Sequence, residues 1–315
     1  MDIKKFDFKY IYYFIILLIS LFITFIIEMY FYLHIIIMTI IWGVVALNWN
    51  LTLGFGGIFH IAQLTFMAAG GYSAAIAITQ FGLSPWLALF VGGIVAVLFS
   101  ILIGLPALKV SGIYLILLTY AFHYAMQQIV LIFNEITNGT MGLIVPSHKL
   151  MGINFRIEMS PYFYLVLLLL VLTLILKVFI VNSNIGEAII ASKDSPVLAK
   201  SVGIELSKYQ LITFGSSAFL TGMIGAVYAG YVGVIGPEIF SFSLVIDALG
   251  MIVIGGLGTI IGPLIGSAFI SSITEIFRAF DQWRPILVGL TIILMLVFVP
   301  NGIVPIIKNI FKSNK

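Results

Sequence analysis

Thr119, His123 and Gln127 are spaced four residues apart. On a helix that spacing puts their side chains on one face. They fall in an apolar run, Gly112–Phe133, long enough to cross a bilayer. A polar stripe on a membrane helix points into the bundle or into a water-filled passage. It carries hydrogen bonds between helices in the first case and lines a path for a polar solute in the second. His60, Gln63 and Thr65 add hydrogen-bonding groups near the start of an earlier apolar run. These six residues are the predicted lining of a path. Chemistry of other kinds has no visible machinery. His34, His60, His123 and His148 are scattered without an H-E-x-x-H pair. The chain has no cysteine, so it has no thiolate metal site and no catalytic thiol. No G-x-S-x-G elbow, close carboxylate pair or G-x-x-x-x-G-K-[ST] loop is present. An intramembrane enzyme is therefore disfavoured, and neither a metal nor a bound cofactor is expected.

A second set of residues suggests contact with a partner. Between two apolar runs, Asn182–Lys208 gathers Glu187, Lys193, Asp194, Lys200, Glu205 and Lys208. A polar segment of that length sits in water. Within it, Ser195 is placed to accept a hydrogen bond from an orphan N–H at a helix start. Pro196 suits the first turn, and Gly203 tolerates the left-handed geometry that ends a helix. The spacing predicts a short helix from Ser195 to Val202. Val197, Leu198 and Val202 are its apolar contact residues, and Lys200 stays at the rim. An ordinary solvated loop with one helical turn is the other reading.

The elements that must position these groups follow from composition. Hydrophobic residues make up 62% of the 315, charged residues 9%, and the mean hydropathy is +1.21. A soluble domain carries about 25% charge. The chain reads as an all-α polytopic membrane protein, a single transmembrane domain over 1–315, because bundled helices satisfy their own backbone in lipid. The net charge of +3 comes without a basic patch, so no nucleic-acid partner is expected. Candidate spans are Tyr10–Ile27, Phe31–Leu47, Ile58–Thr79, Trp86–Leu105, Gly112–Phe133, Tyr162–Val181, Tyr209–Val232 and Ile286–Val304. The first follows Lys4, Lys5 and Lys9 but is too long for a signal-peptide core, so it reads as a retained span.

Two glycine-rich breaks interrupt this pattern. One runs from Gly54 to Gln63 and holds Gly54, Gly56 and Gly57. The other runs from Ile252 to Gly266 and holds Gly255, Gly256 and Gly258. Broken segments in both halves of a transporter frame the translocation path; close helix packing is the alternative. Two short helices meeting at the second break would let Leu244–Thr274 cross twice. That gives about ten helices and a cytoplasmic C-terminus. A single span there gives nine and an external one. With both termini inside, eleven of the fifteen Lys and Arg residues are cytoplasmic; Lys149, Arg156, Arg278 and Arg284 are outside. The segment 134–161 is then external, and 182–208 is cytoplasmic. Glu275–Arg284 reads as an interfacial helix, with Phe277, Phe280 and Trp283 toward lipid or protein.

Several ordered motifs carry a family resemblance over about residues 40 to 300. The first break, with Leu47, Asn48, Gly54, Gly57, Ala62 and Gln63, is one. Lys109, Gly112, Tyr114, Thr119, Ala121 and Phe122 form another, with Ser111 where the family has arginine. Asn138 to Leu143, the polar loop with Gly186, Ala188, Ala199, Gly203 and Lys208-Tyr209, and Ile254 to Thr259 with Gly262-Pro263 complete the set. The chain resembles the permease of branched-chain amino-acid ABC transporters, of the LivM type. The resemblance implies a second homologous permease in a heterodimer, two cytoplasmic ATPases that use the ATP, and an external substrate-binding protein. It makes Ser195, Pro196, Val197, Leu198, Val202 and Gly203 the ATPase-docking residues. Related permeases carry urea or short amides, so those substrates stay open. A stand-alone secondary transporter is the rival reading. Against it, Glu28, Asp247 and Glu275 are the only acids near span ends, although backbone carbonyls can hold Na⁺.

Overall fold

A computed structural model describes residues 30–150, 153–155, 159–300 and 302–306. The expected first span and the C-terminal Lys308, Lys312 and Lys315 lie outside the described residues. The first described helix, α1 (Tyr30–Asn50), is central and continues through a π-helical turn, Leu51–Phe55. Ile37, Ile41, Val44, Val45, Leu47 and Trp49 on it are all buried. An all-round apolar helix of this kind is one that neighbours surround. It packs on α6 (Ser160–Val181), α9 (Leu206–Val232), α10 (Phe242–Gly255) and α11 (Gly262–Ile276).

The remaining long elements are α2 (Gln63–Thr79), α3 (Pro85–Ala107), α4 (Ile113–Ile132) and α12 (Arg284–Phe298). Short helices α5 (Asn134–Thr137), α7 (Asn184–Asp194) and α8 (Pro196–Ser201) fill the connections. Among the described residues, six helices are long and apolar enough to cross a membrane. The expected span Ile58–Thr79 is shortened, because Gly57 takes φ +66 and helix resumes only at Gln63. Leu244–Thr274 is two antiparallel helices joined by a turn at residues 256–261, as the ten-helix reading requires. The Glu275–Arg284 segment is a 3₁₀ helix at Phe277–Trp283; Phe280 and Trp283 are exposed, and Arg278 pairs with Glu275 at 3.0 Å.

Connections sort to two ends of the bundle. At one end, β1 (Leu143–Ile144) pairs antiparallel with β4 (Val234–Ile235), and β2 (Lys149–Leu150) with β3 (Ile153–Asn154). His34 at the start of α1 bonds Tyr231 at the end of α9 at that end, at 2.7 Å. The two breaks and the 182–205 segment occupy the other end. Between the ends, α9 is pressed between α2 and α3 through small residues. A Cβ on Gly222 would lie 2.5 Å from both the Gly92 carbonyl oxygen and the Ala96 Cβ, and one on Gly92 would lie 2.8 Å from the Gly70 oxygen. In lipid, where apolar surface gives no drive to associate, such backbone approach is what holds helices together.

Candidate functional site

The first break turns α1 into α2 and sets a polar seam. Thr52, in the π-turn, meets His60 Nε2 at 2.8 Å, and Trp49 Nε1 donates to the His60 carbonyl at 3.0 Å. Ile61 N–H donates to Thr119 Oγ1 at 3.1 Å, tying the break to α4. Gln63 Nε2 donates to Ser217 Oγ at 3.2 Å and to Thr221 Oγ1 at 2.6 Å on α9. Ser217 in turn donates to the Asn48 carbonyl. His123 Nε2 contacts the Phe240 carbonyl at 3.0 Å. A carbonyl only accepts, so that nitrogen carries the proton. Nδ1 then accepts from the Thr65 hydroxyl at 2.9 Å.

His60, Gln63, Thr65, Thr119 and His123 all lie along this seam, and Gln127 is half-buried. All five are buried and bond to neighbouring elements, with His60 Nδ1 the one buried nitrogen among them left without a partner. In this arrangement the seam is packed shut. The stripe on α4 faces its own bundle, and the opposite face of α4 is open. That face carries Ile113, Leu117, Tyr120 and Tyr124, exposed by 38% to 66%. Tyr120 meets Phe242 edge-on at 5.8 Å. Sequence reasoning passed over this aromatic row, whose i, i+3, i+7 spacing from Leu117 was its only signal.

The two breaks do not stand on either side of a passage. They touch: a Cβ on Gly54 would lie 2.5 Å from the Gly258 nitrogen. Asn50, Lys177 and Lys193 reach this contact and were missed as site residues. Each is a lone polar group at the end of an apolar helix or in a charged loop, with its partner far away in the chain.

The 195–203 segment has the expected capped form. Ser195 Oγ accepts the Leu198 N–H at 3.4 Å, Pro196 opens α8, and Gly203 takes φ +84. Ala199 anchors α8 inward. Val197, Leu198 and Val202 are 77%, 67% and 74% exposed. Three uncovered aliphatic side chains on a short solvated helix make a compact apolar tip.

At the opposite end, in the segment 134–161, His148 is buried against Trp86 and Phe155, with Nδ1 3.2 Å from the Tyr162 hydroxyl. Burial pushes this imidazole down to about 4.

A helical bundle with broken spans, an internal polar seam and an exposed apolar tip on a short helix fits a multi-pass membrane permease. Residues 31–300 match the family described as the permease component of the branched-chain amino acid transport system, and the chain belongs to that family. It is 27% identical over 297 residues to the high-affinity branched-chain amino acid transport system permease protein LivM of Salmonella typhimurium (strain LT2), covering 86% of this chain and 69% of that protein. LivM of Escherichia coli (strain K12) is 26% identical over the same shares. The probable branched-chain amino acid transport permease protein LivH of Methanocaldococcus jannaschii is 27% identical over 241 residues, 73% of this chain and 74% of that protein. No solved structure matches. The family is that of a transport component.

Proposed function

We propose that this chain is the membrane subunit of an ABC importer that carries branched-chain, hydrophobic amino acids across the cytoplasmic membrane. It works as one transmembrane domain beside a second, homologous permease. Two cytoplasmic ATPases use the ATP, an external protein delivers the substrate, and the chain itself binds no cofactor. The observation that carries this reading is α8. A capped helix with three exposed aliphatic residues suits a groove on a partner, where buried apolar anchors dominate the energy. Both termini and α8 face the cytoplasm, in line with the eleven-to-four bias of Lys and Arg.

The open face of α4 is the surface we assign to the second permease and to the path. Tyr120 and Tyr124 offer aromatic surface to an aliphatic side chain, and their hydroxyls offer bonds to a solute's charged ends. A weak, transient path suffices, because the external protein can supply the discrimination. Reconstitution tests the reading. Proteoliposomes holding the two permeases and the ATPases should take up labelled leucine only with ATP and the binding protein. Uptake by the chain without ATPases would establish a secondary transporter instead. Uptake of urea or acetamide in place of leucine would move the substrate to those related classes.

A further inference from the structure

Asn50 sits where the two glycine-rich breaks touch. It ends α1 and is fully buried. Its Nδ2 donates to the Thr259 carbonyl at 2.7 Å, and its Oδ1 accepts the Gly258 N–H at 3.0 Å. One amide therefore satisfies a donor and an acceptor of the turn between α10 and α11. Lys177 of α6 reaches the same turn. Its Nζ donates to the carbonyls of Thr259 and Ile260 at 3.3 and 3.2 Å and stands 5.4 Å from the centre of the Phe55 ring. Lys177 is 2% exposed, and among the described residues no carboxylate lies within ion-pair distance of it. A buried ammonium carries a large desolvation cost unless acceptors surround it. Here the acceptors are the carbonyls of that one turn.

The docking segment stands on the other side of the first break. Ile189 of α7 is buried 3.3 Å from where a Gly56 Cβ would sit. The Lys193 side chain covers Gly57, and its Nζ donates to the Gly54 carbonyl at 2.7 Å. From α7 to the first break, to Asn50, to the α10–α11 turn and Lys177, each step is a direct contact. Packed interiors transmit displacement because they hold little free volume.

We propose that Lys193, Asn50 and Lys177 are positioning residues for transport. They join the docking segment to the α10–α11 turn through the first break, so that a movement of α7 and α8 carries both breaks as one piece. None of the three touches the solute. The assignment rests on the ATP-driven reading above, since the movement it transmits comes from the ATPases.

The test is leucine taken up per ATP hydrolysed, in proteoliposomes containing the whole complex and its binding protein. Lys193→Met, Asn50→Ala and Lys177→Met should each lower that ratio by about tenfold, a usual size for coupling between sites. The amount of ATPase co-purifying with the chain should stay as in the wild type. Lys193→Arg keeps the cation and the donor and should restore the ratio. A structural defect would lower the yield of complex and leave the ratio of the surviving complex alone. If Asn50→Ala or Lys177→Met fails to assemble, Lys193→Met decides, because the residue is exposed and leaves the interior intact. A wild-type ratio in Lys193→Met, or a loss that Lys193→Arg does not restore, overturns the relay and leaves the importer standing. A wild-type complex with no ATP-driven uptake overturns both.

Discussion

Gly222→Ala tests the helix contacts on which the bundle depends. The added methyl would sit 2.5 Å from the Gly92 oxygen and 2.5 Å from the Ala96 Cβ. Ordinary carbon contacts begin near 3.5 Å, so α9 and α3 must part by about 1 Å. Gly92 cannot retreat freely, because it stands against the Gly70 oxygen of α2 in turn. The strain therefore falls on three helices. Overpacking costs about 1–3 kcal/mol, and contact with backbone puts this site near the upper value. Alanine's better helix propensity returns about 1 kcal/mol. The net loss is about 2 kcal/mol, a factor of about 30 in the folded-to-unfolded ratio. Gly289 of α12 is the matched control, since a Cβ there meets nothing within 4 Å. Gly289→Ala should stabilise by about 0.5–1 kcal/mol. The assay is the SDS mole fraction at half-unfolding in mixed micelles, followed by far-UV circular dichroism. Gly222→Ala should move the midpoint down and Gly289→Ala should move it up. A Gly222→Ala midpoint at or above the control would refute the close approach of α9 to α3.

Leu198→Asp should abolish co-purification of the ATPases, costing about 2 kcal/mol or more at a buried anchor. Lys200→Ala should be mild, and normal co-purification of Leu198→Asp would remove α8 as the docking element. His123→Leu leaves the Phe240 carbonyl and the Thr65 hydroxyl without their partner, at about 1–3 kcal/mol each. Amide exchange in the Pro237–Phe240 turn should speed up, and unchanged exchange would count against the bridge. Burial holds His148 at about 4 in the folded protein against an ordinary 6.5, so the unfolded segment takes up a proton first as pH falls. Stability of the 143–148 segment should be full above pH 6.5 and decline toward pH 4, by about 3 kcal/mol over the whole window. Proteolysis there should rise on acidification in the wild type but not in His148→Phe; a flat wild-type profile would refute it. Single cysteines at 193, 138 and 282, in a chain with none of its own, should be labelled by an impermeant reagent from outside intact cells only at the last two. Labelling at 193 would reverse the orientation.

Span positions were legible because lipid demands long apolar runs whatever the tertiary structure. The short helix α8 was legible because its signals are local: Ser195, Pro196 and Gly203 act within their own turn. Partners distant in the chain were not. Gln63 bonds Ser217 and Thr221, 154 and 158 residues away. Asn50 bonds Gly258 and Thr259, 208 and 209 residues away. Nothing near Gln63 or Asn50 in sequence announces those contacts. The glycines showed that the backbone would break at 54–57 and 255–258, but not that the two breaks would lie against each other.

The faces of α4 show why the polar stripe alone could not separate a path from packing. In water, hydropathy tells inside from outside. In a bilayer, the lipid-facing side and the core-facing side are both apolar, so only polar groups mark a direction. Thr119 and His123 mark the interior of their own bundle, where Ile61, Thr65 and Phe240 satisfy them. A group already satisfied there has no free bond to offer a passing solute. Tyr120 and Tyr124 stand on the open side, partly covered and with aromatic surface to spare. Opening the seam would mean breaking the bonds of His60, Gln63, Thr65, Thr119 and His123 on each cycle. Separating two permeases along α4 breaks none of these. The proposed path is therefore better placed on the aromatic row than on the stripe that first pointed to it.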